Sequence, residues 1–160
     1  MNDLEKSAVA LIERRCPVCG STVNSPAMSK QDLRLVRCVQ CEMVFASPVP
    51  GRFATGQYYD HEGAGYYLSE AKLQSDFSPV RFTRESALFR RYCRSGAVLD
   101  VGCSTGGFLY QVCRRWPGEY ELVGTDVSGP AVNHARDKGL HVAAGDFMTL
   151  DFGQHFAAIT

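Results

Sequence analysis

The sequence predicts an α/β chain, a parallel β-sheet with helical crossovers preceded by a small metal-stapled module. Three observations predict it. From residue 98 to residue 147, apolar strand-like runs alternate with amphipathic helical runs across short connections, and strand–helix–strand units joined that way make right-handed parallel crossovers. The turn after the first of these strands, Gly102-Cys103-Ser104-Thr105-Gly106-Gly107, is built from glycine and small residues. Upstream, the pairs Cys16/Cys19 and Cys38/Cys41 form two Cys-x-x-Cys knuckles with zinc-ribbon spacing.

The 160 residues are 45% apolar with a formal net charge of zero, a balance that argues against a nucleic-acid-binding tail or an anionic-membrane binder. The first fifteen residues mix apolar positions with Asp3, Glu5, Lys6, Glu13, Arg14 and Arg15, leaving no uninterrupted apolar core for a signal peptide. No other stretch approaches a membrane span. Seven cysteines without an export signal favour metal over disulfides in a reducing compartment. The chain is therefore expected in the cytoplasm, with no membrane partner.

Residues 4–15 are expected to form a short surface helix with Leu4, Ala8, Leu11 and Ile12 on one side. The four cysteines that follow would hold a tetrahedral zinc ion through Cys16, Cys19, Cys38 and Cys41, with all four positions filled by thiolate, so the ion is structural. So small a module cannot bury a sufficient core alone, and the metal would supply much of its folding free energy. A redox dithiol and coincidentally buried cysteines are the competing readings. Leu33-Arg34-Leu35-Val36-Arg37 and Met43-Val44-Phe45-Ala46 read as a hairpin across the metal. Ser47-Pro48-Val49-Pro50-Gly51 breaks regular structure and is read as the linker. The expected organisation is a zinc ribbon over 1–47, a linker with a Tyr-rich lid over 48–80, and the α/β domain over 81–160.

Within the second of these segments, Tyr58-Tyr59 and Tyr66-Tyr67 flank the glycine-containing polar stretch at residues 60–65, which is read as a loop. Phenol rings offer an apolar face and a polar tip, so the tyrosines either close over a ligand or pack the segment onto its neighbour. His61 and Glu62 read as solvated loop positions before an acid/base pair. Residues 81–94 read as a helix with a solvated arginine face, stopped by Ser95-Gly96. Cys93 and Cys113 are expected as buried fillers on apolar helix faces.

In the α/β part, Val98-Leu99-Asp100-Val101 is a strand, and Ser104 and Thr105 are suitable residue types to cap the helix through Trp116. A second strand ends at Asp126, Ser128 caps the next helix with Pro130 in its first turn and Gly139 as its stop, and a third strand precedes Gly145-Asp146-Phe147. Asp100, Asp126 and Asp146 thus fall at the carboxyl ends of three successive strands, the ligand edge of an open α/β sheet. Asp126 lies near the distance from the first glycine at which an acid accepts from ribose hydroxyls, and Asp146 is placed to accept from an exocyclic amine. Each acid alone could be a solvated strand end, and the turn alone an ordinary strand-to-helix connection. The turn departs from Gly-x-Gly-x-x-Gly, which disfavours a pyrophosphate ligand and hence an NAD-dependent oxidoreductase.

These motifs, Val98 through Gly106, Gly124-Thr125-Asp126-Val127-Ser128 and Gly145-Asp146-Phe147, together with the four cysteines, Pro48-Val49-Pro50 and Tyr58-Tyr59, resemble a class I S-adenosylmethionine-dependent methyltransferase carrying an N-terminal zinc ribbon. The resemblance implies a Rossmann-like parallel sheet. Gly102, Cys103 and Ser104 would line the methionine part of S-adenosyl-L-methionine largely through backbone, within the glycine motif that Gly106 closes, and Asp100 would order that loop and its amino-group contacts. Asp126 would hold the ribose, Val127 would pack on adenine, and Asp146 with Phe147 would bind the adenine edge. Family members more often have glycine where this chain has Ser104.

Residues 156–160 resemble the start of a fourth strand, giving a sheet ordered 3-2-1-4, and the chain is expected to be the N-terminal, cofactor-binding part of a longer enzyme. The expected function is methyl transfer to a small-molecule acceptor, with no nucleic-acid partner. Such transfer is in-line displacement at a sulfonium, where positioning and exclusion of water dominate, and it requires a base only if the acceptor must lose a proton early. The sequence names no base. The alternative is a non-catalytic zinc-ribbon adaptor for protein or nucleic acid.

Overall fold

The computed structural model describes residues 10–31, 33–54 and 57–160. The chain divides into two compact units, one ending at Tyr58 and the other spanning Tyr59–Thr160.

In the first unit, strands β1 (Leu11–Ile12) through β5 (Val49–Pro50) make two small antiparallel sheets. The predicted hairpin is present as β3 (Leu33–Cys38) and β4 (Val44–Ala46), paired from Leu35↔Ala46 to Arg37↔Val44. The polar spacer before it is also a strand, β2 (Asn24–Lys30), laddered against β3. All seven of its residues are exposed, so no apolar alternation marks it in the sequence. Of the expected N-terminal helix, residues 4–9 lie outside the described residues. Leu11 and Ile12 instead pair with Val49 and Pro50, so the Pro-rich stretch read as irregular carries a short strand. A four-residue helix, α1 (Gly51–Ala54), follows.

The second unit begins within α2 (Gln57–Tyr67) and continues through α3 (Glu70–Asp76) and α4 (Thr83–Tyr92) to a four-stranded parallel sheet. Its strands are β6 (Gly96–Val101), β7 (Tyr120–Asp126), β8 (Val142–Ala144) and β9 (Ala158–Ile159), ordered β8-β7-β6-β9. This is the Rossmann-like order 3-2-1-4 expected from the sequence. Helix α5 (Gly107–Arg115) crosses from β6 to β7, and α6 (Gly129–Asp137) from β7 to β8. Val98 and Leu99 are both buried although adjacent, because a parallel sheet is covered on both faces. One core cluster gathers Cys103, Leu109, Val132, Ala135 and Val142, another Phe89, Cys93, Val98 and Val112. Each buried Leu or Val contributes about 1.5–3 kcal/mol. Gln111 donates to the carbonyls of Phe77 and Ser78 at 3.1 and 3.0 Å, and Arg115 to Ser86 and Pro79, tying the stretch between α3 and α4 to α5.

Three local expectations change. The polar stretch between the tyrosine pairs is helix, not loop. Tertiary contacts override its two glycines: the Tyr59 carbonyl accepts from Ser128 Oγ at 3.1 Å, Asp60 Oδ1 accepts from the Gly129 N–H at 2.8 Å, and Gly63 is buried. Cys93 is buried as expected, but Cys113 is exposed. Neither Ser104 nor Thr105 caps α5, because Gly106 in the left-handed region holds the cap position with no side-chain bond. Ser128 does cap α6, its hydroxyl accepting from the Ala131 N–H. Among the described residues no helix is long and apolar enough to cross a membrane.

Candidate functional site

Strand β6 delivers the chain into a tight turn whose backbone is bonded to the end of β7. The N–H groups of Gly102 and Cys103 both donate to the Thr125 carbonyl, at 2.8 and 3.0 Å. Gly102 has φ +74°, and a Cβ built there would meet nothing within 4 Å. Its hydrogen therefore faces open space that a side chain would occupy. Gly106, at φ +80°, serves packing: a Cβ there would sit 2.4 Å from Leu140 Cδ1 and 3.2 Å from Ala135 Cβ.

Between them Ser104 adopts φ +52°, which disfavours residues with a Cβ. It is held there by its N–H, which donates to Asp126 Oδ2 at 2.8 Å. The other Asp126 oxygen accepts from the Ser128 N–H at 2.8 Å. Asp126 thus clamps the turn and the start of α6 while its lone pairs retain capacity for further donors. The hydroxyls of Ser104 and Thr105 are buried and have no hydrogen-bond partner. An orphaned buried hydroxyl is costly, so two in succession leave hydrogen-bonding capacity that a water or a polar ligand group would satisfy.

Two cavities meet along this turn. One, of about 400 Å³, is lined by Gly102, Ser104, Asp126, Val127, Asp146 and Phe147, with Tyr59 and Tyr67 from α2. The other, of about 650 Å³, is lined by Asp100, Gly102, Cys103, Ser104 and Thr105, with Phe82, Phe89 and other side chains of the helical segment. The turn thus brings eight of the nine predicted ligand residues to the two cavity walls; Gly106 lines neither cavity. Thr105 is a further wall residue that the glycine motif did not mark, and Tyr59 and Tyr67, read from their paired spacing either as closing over a ligand or as packing, line the smaller cavity. For the tyrosines the sequence signal was the paired spacing, which did not say which rings face inward.

Asp100 is half-buried, and its Oδ1 accepts from the Thr160 hydroxyl at 3.1 Å. Burial pushes its carboxyl up to about 6, against the pull of the Thr160 hydrogen bond, and the Asp126 charge adds to the rise. Burial, with the charges of Asp100 and Asp126, pushes the Cys103 thiol up to about 12. Asp146 turns one oxygen back to cap the short 3₁₀ turn Phe147–Thr149, accepting from the Met148 N–H at 3.0 Å.

In the first unit the Sγ atoms of Cys16, Cys19, Cys38 and Cys41 all lie within 4.8 Å of one another. The Cys16–Cys41 and Cys19–Cys38 pairs stand 3.4 and 3.5 Å apart, near the edge of about 3.8 Å of a tetrahedron with metal–sulfur bonds of about 2.3 Å. Each knuckle is closed by a backbone bond, Gly20 N–H to the Cys16 carbonyl and Glu42 N–H to the Cys38 carbonyl. Backbone N–H groups of Cys41 and Gln40 aimed at its sulfur outweigh burial and hold Cys38 down at about 6. The donor set fits a thiophilic tetrahedral ion.

Residues 98–160 match a family described as a methyltransferase domain. All nine predicted ligand residues fall inside the methyltransferase segment, whereas Tyr59 and Tyr67 lie upstream of it. A curated relative, the carboxy-S-adenosyl-L-methionine synthase of a Nitratiruptor species, is 28% identical over 98 residues, covering 61% of this chain and 39% of that protein. The chain thus spans about two fifths of that relative's length. Among solved structures, Streptomyces venezuelae DesVI is 20% identical over 69% of this chain and 42% of its own, with a TM-score of 0.43. The sugar N-methyltransferase KedS8 from Streptoalloteichus sp ATCC 53650 is 24% identical over 57% of this chain and 38% of its own, with a TM-score of 0.46.

Proposed function

We propose that the chain binds S-adenosyl-L-methionine at the carboxyl edge of the β6–β8 sheet and serves methyl transfer to a small-molecule acceptor. The observation that carries this reading is the turn itself: an open glycine face at Gly102 and two orphaned hydroxyls, clamped to Asp126, within a methyltransferase-family segment. Asp126 would accept from ribose hydroxyls, with Val127 against the base and Asp146 and Phe147 at its edge, all on the smaller cavity. Gly102, Cys103 and Ser104 would line the amino-acid end through backbone, with Asp100 facing the ammonium group. When bound, the cofactor supplies an electrophilic methyl group on a sulfonium.

The chain's own contribution is placement. The clamp from Asp126 to Ser104 fixes the turn before any ligand arrives, which lowers the ordering cost of binding. Apolar side chains such as Phe82 and Phe89 on the larger cavity exclude water from the approach to the turn. Cys103, protonated at neutral pH, offers no competing thiolate. In the first unit, Cys16, Cys19, Cys38 and Cys41 would hold a structural zinc ion, with no coordination position open to substrate.

Isothermal titration of the chain with S-adenosylhomocysteine tests the reading. One-to-one saturable binding is expected, and no binding up to millimolar ligand overturns it. Elemental analysis expects one zinc per chain.

A further inference from the structure

Helix α2 lies outside the methyltransferase segment, yet it supplies part of the wall of the smaller cavity. Tyr59, Gly63 and Tyr67 recur at four-residue intervals and so share one helix face. Along a helix, Tyr59 and Tyr67 are separated by about 12 Å of axial rise, but their ring centroids stand only 6.5 Å apart, with planes inclined by 31°. The two rings therefore lean toward one another along the face that also carries buried Gly63, a residue with no side chain to stand between them. Both line the cavity that also holds Asp126, Val127 and Asp146. Tyr66, adjacent in sequence, stands edge-on to the Tyr67 ring at 5.4 Å but is 63% exposed and does not line the cavity.

This face is held in place by two bonds to the start of α6, immediately after Asp126. The Gly129 N–H donates to Asp60 Oδ1 at 2.8 Å, and Ser128 Oγ donates to the Tyr59 carbonyl at 3.1 Å. Asp60 thus does for α6 what a first-turn acid does, meeting a free N–H at the positive end of the helix dipole. The same contact registers the tyrosine face against the end of β7. Ser128 binds both partners: its N–H donates to Asp126 and its hydroxyl to Tyr59.

We propose that Tyr59 and Tyr67 form an aromatic wall of the nucleoside end of the cofactor site, and that Asp60 is the positioning residue that sets this wall against Asp126. The proposal rests on the cofactor reading above and adds a contribution from outside the family segment. Aromatic faces hold a purine by stacking, and losing one such contact reduces affinity by about tenfold.

The test is calorimetry on the full chain with two probes, S-adenosylhomocysteine and adenosine. Tyr59→Leu and Tyr67→Leu should each weaken both probes by about the same tenfold factor, while Tyr59→Phe stays within about twofold because the ring face remains. Asp60→Ala should weaken both probes, and Asp60→Asn, which keeps the acceptor oxygen, should restore them. Unchanged affinity in the leucine variants overturns the proposal, as does a loss confined to S-adenosylhomocysteine with adenosine unaffected. Failure of the unsubstituted chain to bind S-adenosylhomocysteine overturns the cofactor reading, and this proposal with it. A measurement without substitutions guards against misfolded variants: saturating S-adenosylhomocysteine should slow nitration of Tyr59 and Tyr67 by tetranitromethane while Tyr66 reacts as before. Equal nitration with and without ligand overturns the aromatic wall.

Discussion

The backbone N–H of Ser104 donates to Asp126 at 2.8 Å, a side-chain bond that adds to the two backbone bonds from Gly102 and Cys103 to Thr125 in joining the glycine-rich turn to the end of the neighbouring strand. The carboxylate is at once a scaffold and a candidate ligand group. Removing it therefore has two effects that need separating.

Asp126→Ala leaves the N–H groups of Ser104 and Ser128 without their acceptor. At about 1–2 kcal/mol for each orphaned donor, stability should fall by roughly 2–4 kcal/mol. Asp126→Asn keeps one acceptor oxygen and should lose about half as much. Urea denaturation measures this difference, and S-adenosylhomocysteine affinity is then compared in Asp126→Asn, where the turn is better preserved.

Ser104→Gly should raise stability by about 1 kcal/mol, since glycine adopts φ +52° without the penalty a Cβ brings. It also removes a buried hydroxyl that has no partner. Thermal unfolding without ligand reads the gain. If the hydroxyl meets the cofactor, the same variant shows weaker S-adenosylhomocysteine binding despite its greater stability.

The Asp100 carboxyl, raised from 3.8 to about 6 by burial, sets a pH dependence of known sign. Its native pKa lies above its unfolded one, so the folded state favours the proton. The associated stability is complete below about pH 4 and is lost as pH rises through about 6. Asp100→Asn should match the unsubstituted chain near pH 4 and exceed it by roughly 2 kcal/mol at neutral pH. Urea midpoints at the two pH values check it, and a variant less stable at neutral pH would refute the assignment.

Zinc removal should open the cysteine cluster. With a strong chelator, the four thiols of Cys16, Cys19, Cys38 and Cys41 should become reactive toward a disulfide reagent, and zinc should restore protection. Cys38→Ser should abolish stoichiometric zinc. Because the ligands bind as thiolates, affinity should weaken as pH falls.

The sheet was legible because its signals are local and strong. Val98 and Leu99 make an apolar run, Ser128 and Pro130 open a helix, and Gly139 closes it, so β6, β7 and α6 are written in short stretches. The three acids were legible because strand ends place them. What was missed depends on distant contacts. Strand β2 exists through its ladder with β3 and shows only exposed residues. Helix α2 crosses two glycines and is anchored by Ser128 and Gly129, far along the chain. Ser104 and Thr105 have the composition of caps, but the left-handed Gly106 takes that position. Their hydroxyls were thus released from a local role that residue type alone suggested.

Cys103 lies in the same turn, on the wall of the larger cavity. Sulfur is the softest nucleophile a protein offers, and a sulfonium donor alkylates soft nucleophiles readily when they are ionised. Burial first, with the charges of Asp100 and Asp126 adding to it, pushes that thiol up to about 12, so a sulfonium bound in the proposed site would meet a neutral sulfur in place of a thiolate.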